Sequence, residues 1–316
     1  MPTEKSPRAM TGFAPASVGN IGPGLDILGC AISGARDVVE AMTIDAPGVR
    51  VDDPGHPDLT PDPQRHASAI AATEVLRRAG ADIGLALRVN KGIPLSGGQG
   101  GSAASAVAAA IAANAIIGSP LDQVELLRAA LVSEERLAGR HLDNLAPSLI
   151  GGIVLVRSIE PLIVITLPVP ENLFVVVVHP DMRMRTADAR AVLPEVVDRE
   201  TALAQAAAVA TMVAAFCKND ASLLRGAIDD RIAEPAREPL LPGFGRAKRA
   251  ALDAGALGCS IAGGGPSAFA LADDAAGAER ILETMVAAYE ASNVRATGRV
   301  SRVDSRGAFV EPSVPW

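Results

Sequence analysis

The segment Pro94-Leu-Ser-Gly-Gly-Gln-Gly-Gly-Ser-Ala-Ala-Ser105 constrains this chain more than any other. Gly97, Gly98, Gly100 and Gly101 stand directly before an alanine-rich run, residues 102–117, that reads as a helix. Glycine lets successive backbone N–H groups converge with no Cβ in the way. A helix start adds unpaired N–H groups and the positive end of its dipole. Together they describe an anion cradle suited to a polyphosphate. Two familiar loops do not fit. A Walker A loop needs a lysine after its glycines, and none follows here. A dinucleotide fingerprint needs glycine where Ala103 stands. A turn of small residues serving only close packing is the alternative.

The rest of the composition suits a layered, aliphatic protein. Hydrophobic residues make up 49% of the 316 but aromatics only 3%, so the core must be built from Ala, Val, Leu and Ile. A chain of this length buries roughly 75% of its unfolded surface, in two closely associated domains, without needing a disulfide or structural metal. A formal net charge of −7 and no basic run argue against a nucleic-acid partner. Cys30, Cys217 and Cys259 are far apart and odd in number, and read as buried free thiols of a reducing compartment. The polar residues 1–10 have no apolar signal core. The apolar stretch 103–117 is short for a bilayer span and is interrupted by Ser105 and Asn114. A cytoplasmic protein with no membrane partner is the expectation.

Residues 1–10 read as a loose terminus, 13–17 as extended, 20–24 as a Gly/Pro turn and 48–65 as a surface loop. Helical patterns cover 67–79, closed by Gly80, and 122–137, opened by Asp122 with Glu125 three residues on. Strand patterns fall at 85–89, 153–156, 162–167 and 173–178. Beyond His179, helices are expected at 187–193, 202–217, 223–232, 246–252 and 276–289, with strands at 259–262, 268–272 and 298–303. Irregular alternation with adjacent strand pairs indicates α+β layers rather than a doubly wound parallel sheet. The domain boundary falls near 170–180.

Two further segments accompany the glycine loop. Ala14-Pro-Ala-Ser17 leads to Asn20, Gly22-Pro-Gly24 and Asp26, and Gly258-Cys-Ser-Ile-Ala-Gly263-Gly-Gly-Pro-Ser267 lies near the C-terminus. In this order the three resemble the motifs of the GHMP kinase superfamily, over nearly the whole chain. Three more segments resemble those of the homoserine kinases within it. They are His141-Leu-Asp143-Asn144-Leu-Ala-Pro147 with Gly151-Gly152, Thr186-Ala-Asp-Ala-Arg190 with Leu193-Pro194, and Glu234-Pro-Ala-Arg237 with Leu241-Pro-Gly243.

The resemblance implies a two-domain, GHMP-kinase-like α+β architecture. A flexible terminus (1–10) would precede an S5-domain-2-like, ATP-binding sandwich (11–175) and a ferredoxin-like C-terminal domain (176–316). It implies ATP-dependent phosphorylation of the side-chain hydroxyl of L-homoserine to O-phospho-L-homoserine, in threonine biosynthesis, with Mg²⁺ as cofactor and a homodimer as assembly. Such transfer needs charge neutralisation and positioning more than covalent help.

By the same resemblance, Pro94, Leu95, Ser96, Gly97, Gly98, Gln99, Gly100, Gly101, Ser102, Ala103 and Ala104, with Gly264, hold the nucleotide. Ser102 and Glu134 share the metal; Glu135 is a possible substitute, because the interval to Asp143 is one residue shorter than usual in the family. Arg190 and Arg237 hold the substrate carboxylate. Asn20, Asp26, His141, Asp143, Asn144 and Thr186 surround its amino group and hydroxyl. Asp143, Asn144 and Asn20 are the catalytic candidates, with Asp143 either a general base or a positioning group.

The loop departs from the family's G-x-G-L-G-S-S-A pattern. Gln99 replaces an apolar residue, and is a candidate for an extra contact to phosphate. Gly101 replaces the first of two serines, removing a hydroxyl hydrogen bond worth about 0.5–1.5 kcal/mol. His56, His66 and His179 read as surface or core histidines, and Tyr289 and Trp316 carry no functional signal. Three rival readings stay open: a kinase of another small alcohol, such as a mevalonate-type substrate; a nicotinamide-dependent oxidoreductase with Asp122 as ribose partner; and a binding protein whose altered loop has lost turnover. An acid that receives an ammonium separates homoserine from an amine-free alcohol.

Overall fold

A computed structural model describes residues 8–316. Of the expected loose terminus, residues 1–7 lie outside the described residues. Ala9 and Met10 correct the expectation: both belong to the first strand and pair with Met42 and Ala41.

The N-terminal half opens with β1 (Ala9–Gly19), β2 (Leu28–Ile44), β3 (Gly48–Asp53), α1 (Ala67–Ala79) and β4 (Gly84–Asn90). It continues with α2 (Gly101–Ile116), α3 (Gln123–Leu137), α4 (Leu145–Ile150), β5 (Ile153–Ser158) and β6 (Ile163–Leu167). Next come β7 (Phe174–Pro180), α5 (Thr186–Ala191), α6 (Arg199–Lys218), α7 (Ala233–Arg237) and α8 (Phe244–Asp253). The chain ends with β8 (Gly258–Ile261), β9 (Ala268–Ala272), α9 (Ala275–Glu290), β10 (Ala296–Arg302) and β11 (Phe309–Pro312).

The first sheet runs β11-β1-β2-β4-β3, with β5 pairing β2 and β6 pairing β5; only the β3–β4 pair is parallel. The second sheet, antiparallel throughout, runs β10-β7-β9-β8. This is the α+β class expected.

Helix α2 explains the scarcity of aromatics. Nearly all its residues are buried, between β1, β2 and the helices α1 and α3. A Cβ on Gly12 of β1 would lie 2.1 Å from the carbonyl oxygen of Ala108. Strand and helix backbones touch at that point, and only glycine and alanine permit it.

Several sequence expectations need correction. Residues 48–53 form an edge strand, because Val51 reaches the core while its neighbours stay exposed. Residues 223–232 are not a helix: a 3₁₀ turn at Ala221–Leu224 precedes irregular chain. There the Asp230 carboxylate accepts the N–H groups of Ile232, Ala233 and Glu234 at 3.0, 2.9 and 3.1 Å, which starts α7 instead. Cys217 is exposed, whereas Cys30 and Cys259 are buried, their thiols pushed up to about 12 by burial. Residues beyond 175 also return to the first layer. β11 pairs with β1, and Met212 and Phe216 of α6 join the first core.

Replacing Gly12 by alanine should force β1 off α2 and cost about 1–3 kcal/mol, read as a lower urea midpoint. Gly48→Ala meets no atom within 4 Å, and should cost less, through its positive φ alone.

Candidate active site

Residues 94–100 carry the chain from β4 into α2. Gly98 and Gly100 have φ of +76° and +68°, a region that favours glycine. Their surroundings also exclude a side chain: a Cβ on Gly98 would sit 2.5 Å from Ala262 O, and one on Gly100 2.1 Å from Ser17 Oγ. The turn is pinned by three foreign amides. Ser17 N–H donates to Gln99 O (3.1 Å), Ser267 N–H to Gly97 O (3.2 Å) and Met184 N–H to Ser96 O (3.3 Å). The N–H groups of residues 98 to 103, by contrast, donate to no acceptor among the described residues. A row of free amides at a helix N-terminus is an anion site.

Beside the row lies a charged group that sequence reasoning missed. Lys91 Nζ is paired with buried Asp37 and donates to Gly101 O (2.9 Å) and Ser105 Oγ (2.9 Å). Asp37 Oδ1 accepts the N–H groups of Gly92 and Ile93, at 3.1 Å each. A lone lysine before a glycine loop gave no signal, because its partner is 54 residues away.

Across the cleft, a line of acidic and imidazole groups runs inward from Ser102. Ser102 Oγ lies 3.4 Å from Glu134 Oε2, Glu134 Oε1 3.6 Å from His141 Nε2, and His141 Nδ1 3.2 Å from Asp143 Oδ1. Glu134 is buried, and burial raises its carboxyl pKa, with the Asp143 charge adding to the effect. Burial pulls the His141 pKa down, but contact with Asp143 and the charges of Asp143 and Glu134 prevail, so the net shift is upward. Both His141 nitrogens and Asp143 Oδ1 are buried without a hydrogen-bond partner. Glu135 is turned outward onto Arg140, 2.8 Å away, which leaves Glu134 as the carboxylate of the site.

The oxygens of Ser102 and Glu134 suit a hard divalent cation. Asp26, His141 and Asp143 also bring ligand atoms within 4.8 Å of one another. Arg190 already neutralises Asp26, however, and the upward shift of the His141 pKa opposes metal ligation by its imidazole.

Arg190 of α5 donates to both oxygens of Asp26. Arg237 of α7 is buried, with Nε on Ala189 O and Nη1 on Gly263 O, both at 3.0 Å. Burial lowers its pKa, and the Arg190 charge adds to that shift. Asn20 Oδ1 accepts the Asp26 N–H (3.0 Å) and its Nδ2 donates to Gly263 O (2.9 Å). Its amide therefore braces the wall and keeps one hydrogen for a ligand. Asn20, Ile21 and Asp26 all have positive φ, a strained turn of the kind found at ligand sites.

One cleft of about 480 Å³ is lined by Asn20, Asp26, Glu134, His141, Asp143, Asn144, Thr186, Arg190 and Arg237. Pro94 to Gly98, Gly100 to Ser102 and Gly264 line it too. Gln99, Ala103 and Ala104 do not: all three are fully buried. The Gln99 side chain points away from the cleft, to Ser267 and Arg299, which corrects the expected phosphate contact. His66, read as a surface or core histidine, is buried and lies in the cleft wall against Pro54 O at 3.3 Å.

Two α+β layers closing on a glycine-loop anion site define a small-molecule kinase of the GHMP class. The models for the GHMP kinases N terminal domain and the GHMP kinases C terminal domain match residues 66–152 and 212–291. Homoserine kinases from Chlorobaculum tepidum and Arabidopsis thaliana are each 40% identical to the chain, both over 96% of it, covering 98% and 84% of those proteins. The crystal structure of homoserine kinase from Cytophaga hutchinsonii aligns with a TM-score of 0.92 at 38% identity, over 98% of this chain and all of that one. Mevalonate kinase from L. major shares the fold, at 19% identity and a TM-score of 0.68, over 96% and 97% of the two chains. The chain belongs to the homoserine kinase family.

With its folded pKa raised, His141 stabilises the fold fully below its unfolded pKa of about 6.5. That contribution is lost as pH rises through the folded value. In urea unfolding of metal-free protein, the gap between wild type and His141→Gln should be widest below about pH 6.5 and narrow above it. A gap constant with pH would contradict a charged His141.

Proposed function

We propose that the chain transfers the γ-phosphoryl group of ATP to the side-chain hydroxyl of L-homoserine, with Mg²⁺ as cofactor. One observation carries the reading. The free amides of the glycine loop share a cleft with the guanidiniums of Arg190 and Arg237 and the carboxylates of Asp26 and Asp143, groups that complement a zwitterionic amino acid.

The triphosphate lies on the amides of residues 98 to 103, with Lys91 adding positive charge at the same helix end. Arg237 and Arg190 receive the substrate carboxylate, and Asp26 and Asp143 its ammonium. Because Arg190 and Asp26 already pair, an entering zwitterion exchanges one ion pair for two and leaves no charge alone. Asn144, oriented by Ser17 Oγ at 2.9 Å, and Asp143 direct the hydroxyl toward phosphorus. Loose phosphoryl transfer demands little of a base, so Asp143 acts first by positioning. When bound, Mg²⁺ neutralises phosphate charge, and Ser102 and Glu134 would hold it. A homodimer is the assembly the family resemblance implies, and light scattering tests it.

A coupled ADP-release assay with ATP, Mg²⁺ and either homoserine or mevalonate is the direct test. Homoserine should give turnover and mevalonate none. Folded protein that releases no ADP above background with homoserine would end the reading. Glu134→Gln should lower kcat by a factor on the order of 100, while Glu135→Gln should stay within about twofold. The raised Glu134 pKa means that protons compete with the metal, so the Mg²⁺ needed for half-maximal rate should rise as pH falls.

A further inference from the structure

Behind the phosphate loop, on the side away from the cleft, lies a polar chain with no part in the transfer described above. Arg299 stands on β10, the edge strand of the second sheet. Its side chain crosses to the first layer beside Gly34 of β2, where a Cβ would lie 3.5 Å from Arg299 Cδ. Arg299 Nη2 donates to Gln99 Oε1 at 2.7 Å, and Gln99 Nε2 donates to Ser267 Oγ at 3.1 Å. His179 Nδ1 lies 3.1 Å from the same hydroxyl.

The guanidinium lacks a counter-charge. Among the described residues no carboxylate pairs with it, and its Nε is buried with no partner. Burial alone lowers its pKa, and no acidic group acts the other way. An unpaired, half-buried cation is costly. Here it is held one glutamine side chain from a row of free amides that attracts anions. An apolar side chain at position 99 would leave the guanidinium without its acceptor.

We propose that Arg299 is a nucleotide-positioning residue: through Gln99 it fixes the peptide planes of the phosphate loop, and its charge is balanced by the triphosphate bound on the loop's other face. The inference rests on the assignment of that loop to ATP. A half-buried charge acts across several ångströms and is screened less than an exposed one, so no direct contact is needed.

Calorimetric binding of ATP and of adenosine, on protein first assayed for homoserine turnover, tests it. In Arg299→Met the ATP dissociation constant should rise about tenfold, while that for adenosine, which has no phosphates, should change by less than about twofold. Arg299→Lys keeps the charge and loses the planar fork; it should weaken ATP by about threefold, and it carries the test should the methionine variant not fold. In Gln99→Leu/Arg299→Met, ATP should bind no more weakly than in Arg299→Met alone, because both changes remove one device. Equal weakening of ATP and adenosine would mean a merely structural role and overturn the proposal, as would ATP binding unchanged in Arg299→Met. Wild-type protein that binds ATP with this pattern yet never turns over homoserine would sink the kinase reading and leave this one standing.

Discussion

Everything in the site depends on the close approach of two backbones. The third glycine segment, residues 262–267, seats directly on the phosphate loop. A Cβ on Gly98 would lie within 2.6 Å of both Ala262 O and Gly265 O. Amides from both layers then pin the loop: Ser17 from the first sheet, and Met184 and Ser267 from the second part of the chain. Because these bonds hold the loop's carbonyls, the amides of residues 98 to 103 stay unpaired, and Gly98, Gly100, Gly101 and Ser102 among them line the cleft. Binding energy is then not diverted into ordering the loop.

Charge is organised on either side of that contact. Lys91 and Asp37 form a buried pair at the foot of α2, where Asp37 is held by two backbone amides and the Ser105 hydroxyl. Such a pair survives burial because each group is fully hydrogen-bonded. The line from Ser102 through Glu134 and His141 to Asp143 is less satisfied, with orphaned nitrogens and a carboxylate oxygen. That imbalance lies at the wall of the cleft. Glu234, the first residue of the segment that ends in Arg237, carries no ligand role. It binds Lys248 and the Ser260 hydroxyl, at 2.6 Å from the latter, and so fixes α7 against α8 and β8. Arg237 is thereby presented from a rigid element.

Much of the fold was legible because its signals are local. The helix at 67–79 carries its own stop at Gly80, which adopts the left-handed C-cap, and Asp122 caps α3 through the Glu125 amide as its spacing predicts. The strand at 268–272 is an uninterrupted buried run. The misses are tertiary. Residues 48–53 look like loop because only Val51 is buried, and they become strand by pairing with β4. β11 needs a partner some 300 residues upstream. Gln99 read as a phosphate contact because a glycine loop at a helix start suits phosphate; its side chain went the other way because Arg299 and Ser267 lie behind it.

The residues themselves determined that a glycine loop would meet a helix start, that the core would be aliphatic, and which side chains recur in family motifs. These follow from conformational freedom, composition and spacing, properties a linear chain already has. Only the folded chain decided that Glu134 and not Glu135 turns inward, that Lys91 is buried on Asp37, and that Arg190 and Arg237 share one cleft with the loop. Those outcomes depend on contacts between residues far apart in sequence, where packing and desolvation, not local preference, choose the neighbour.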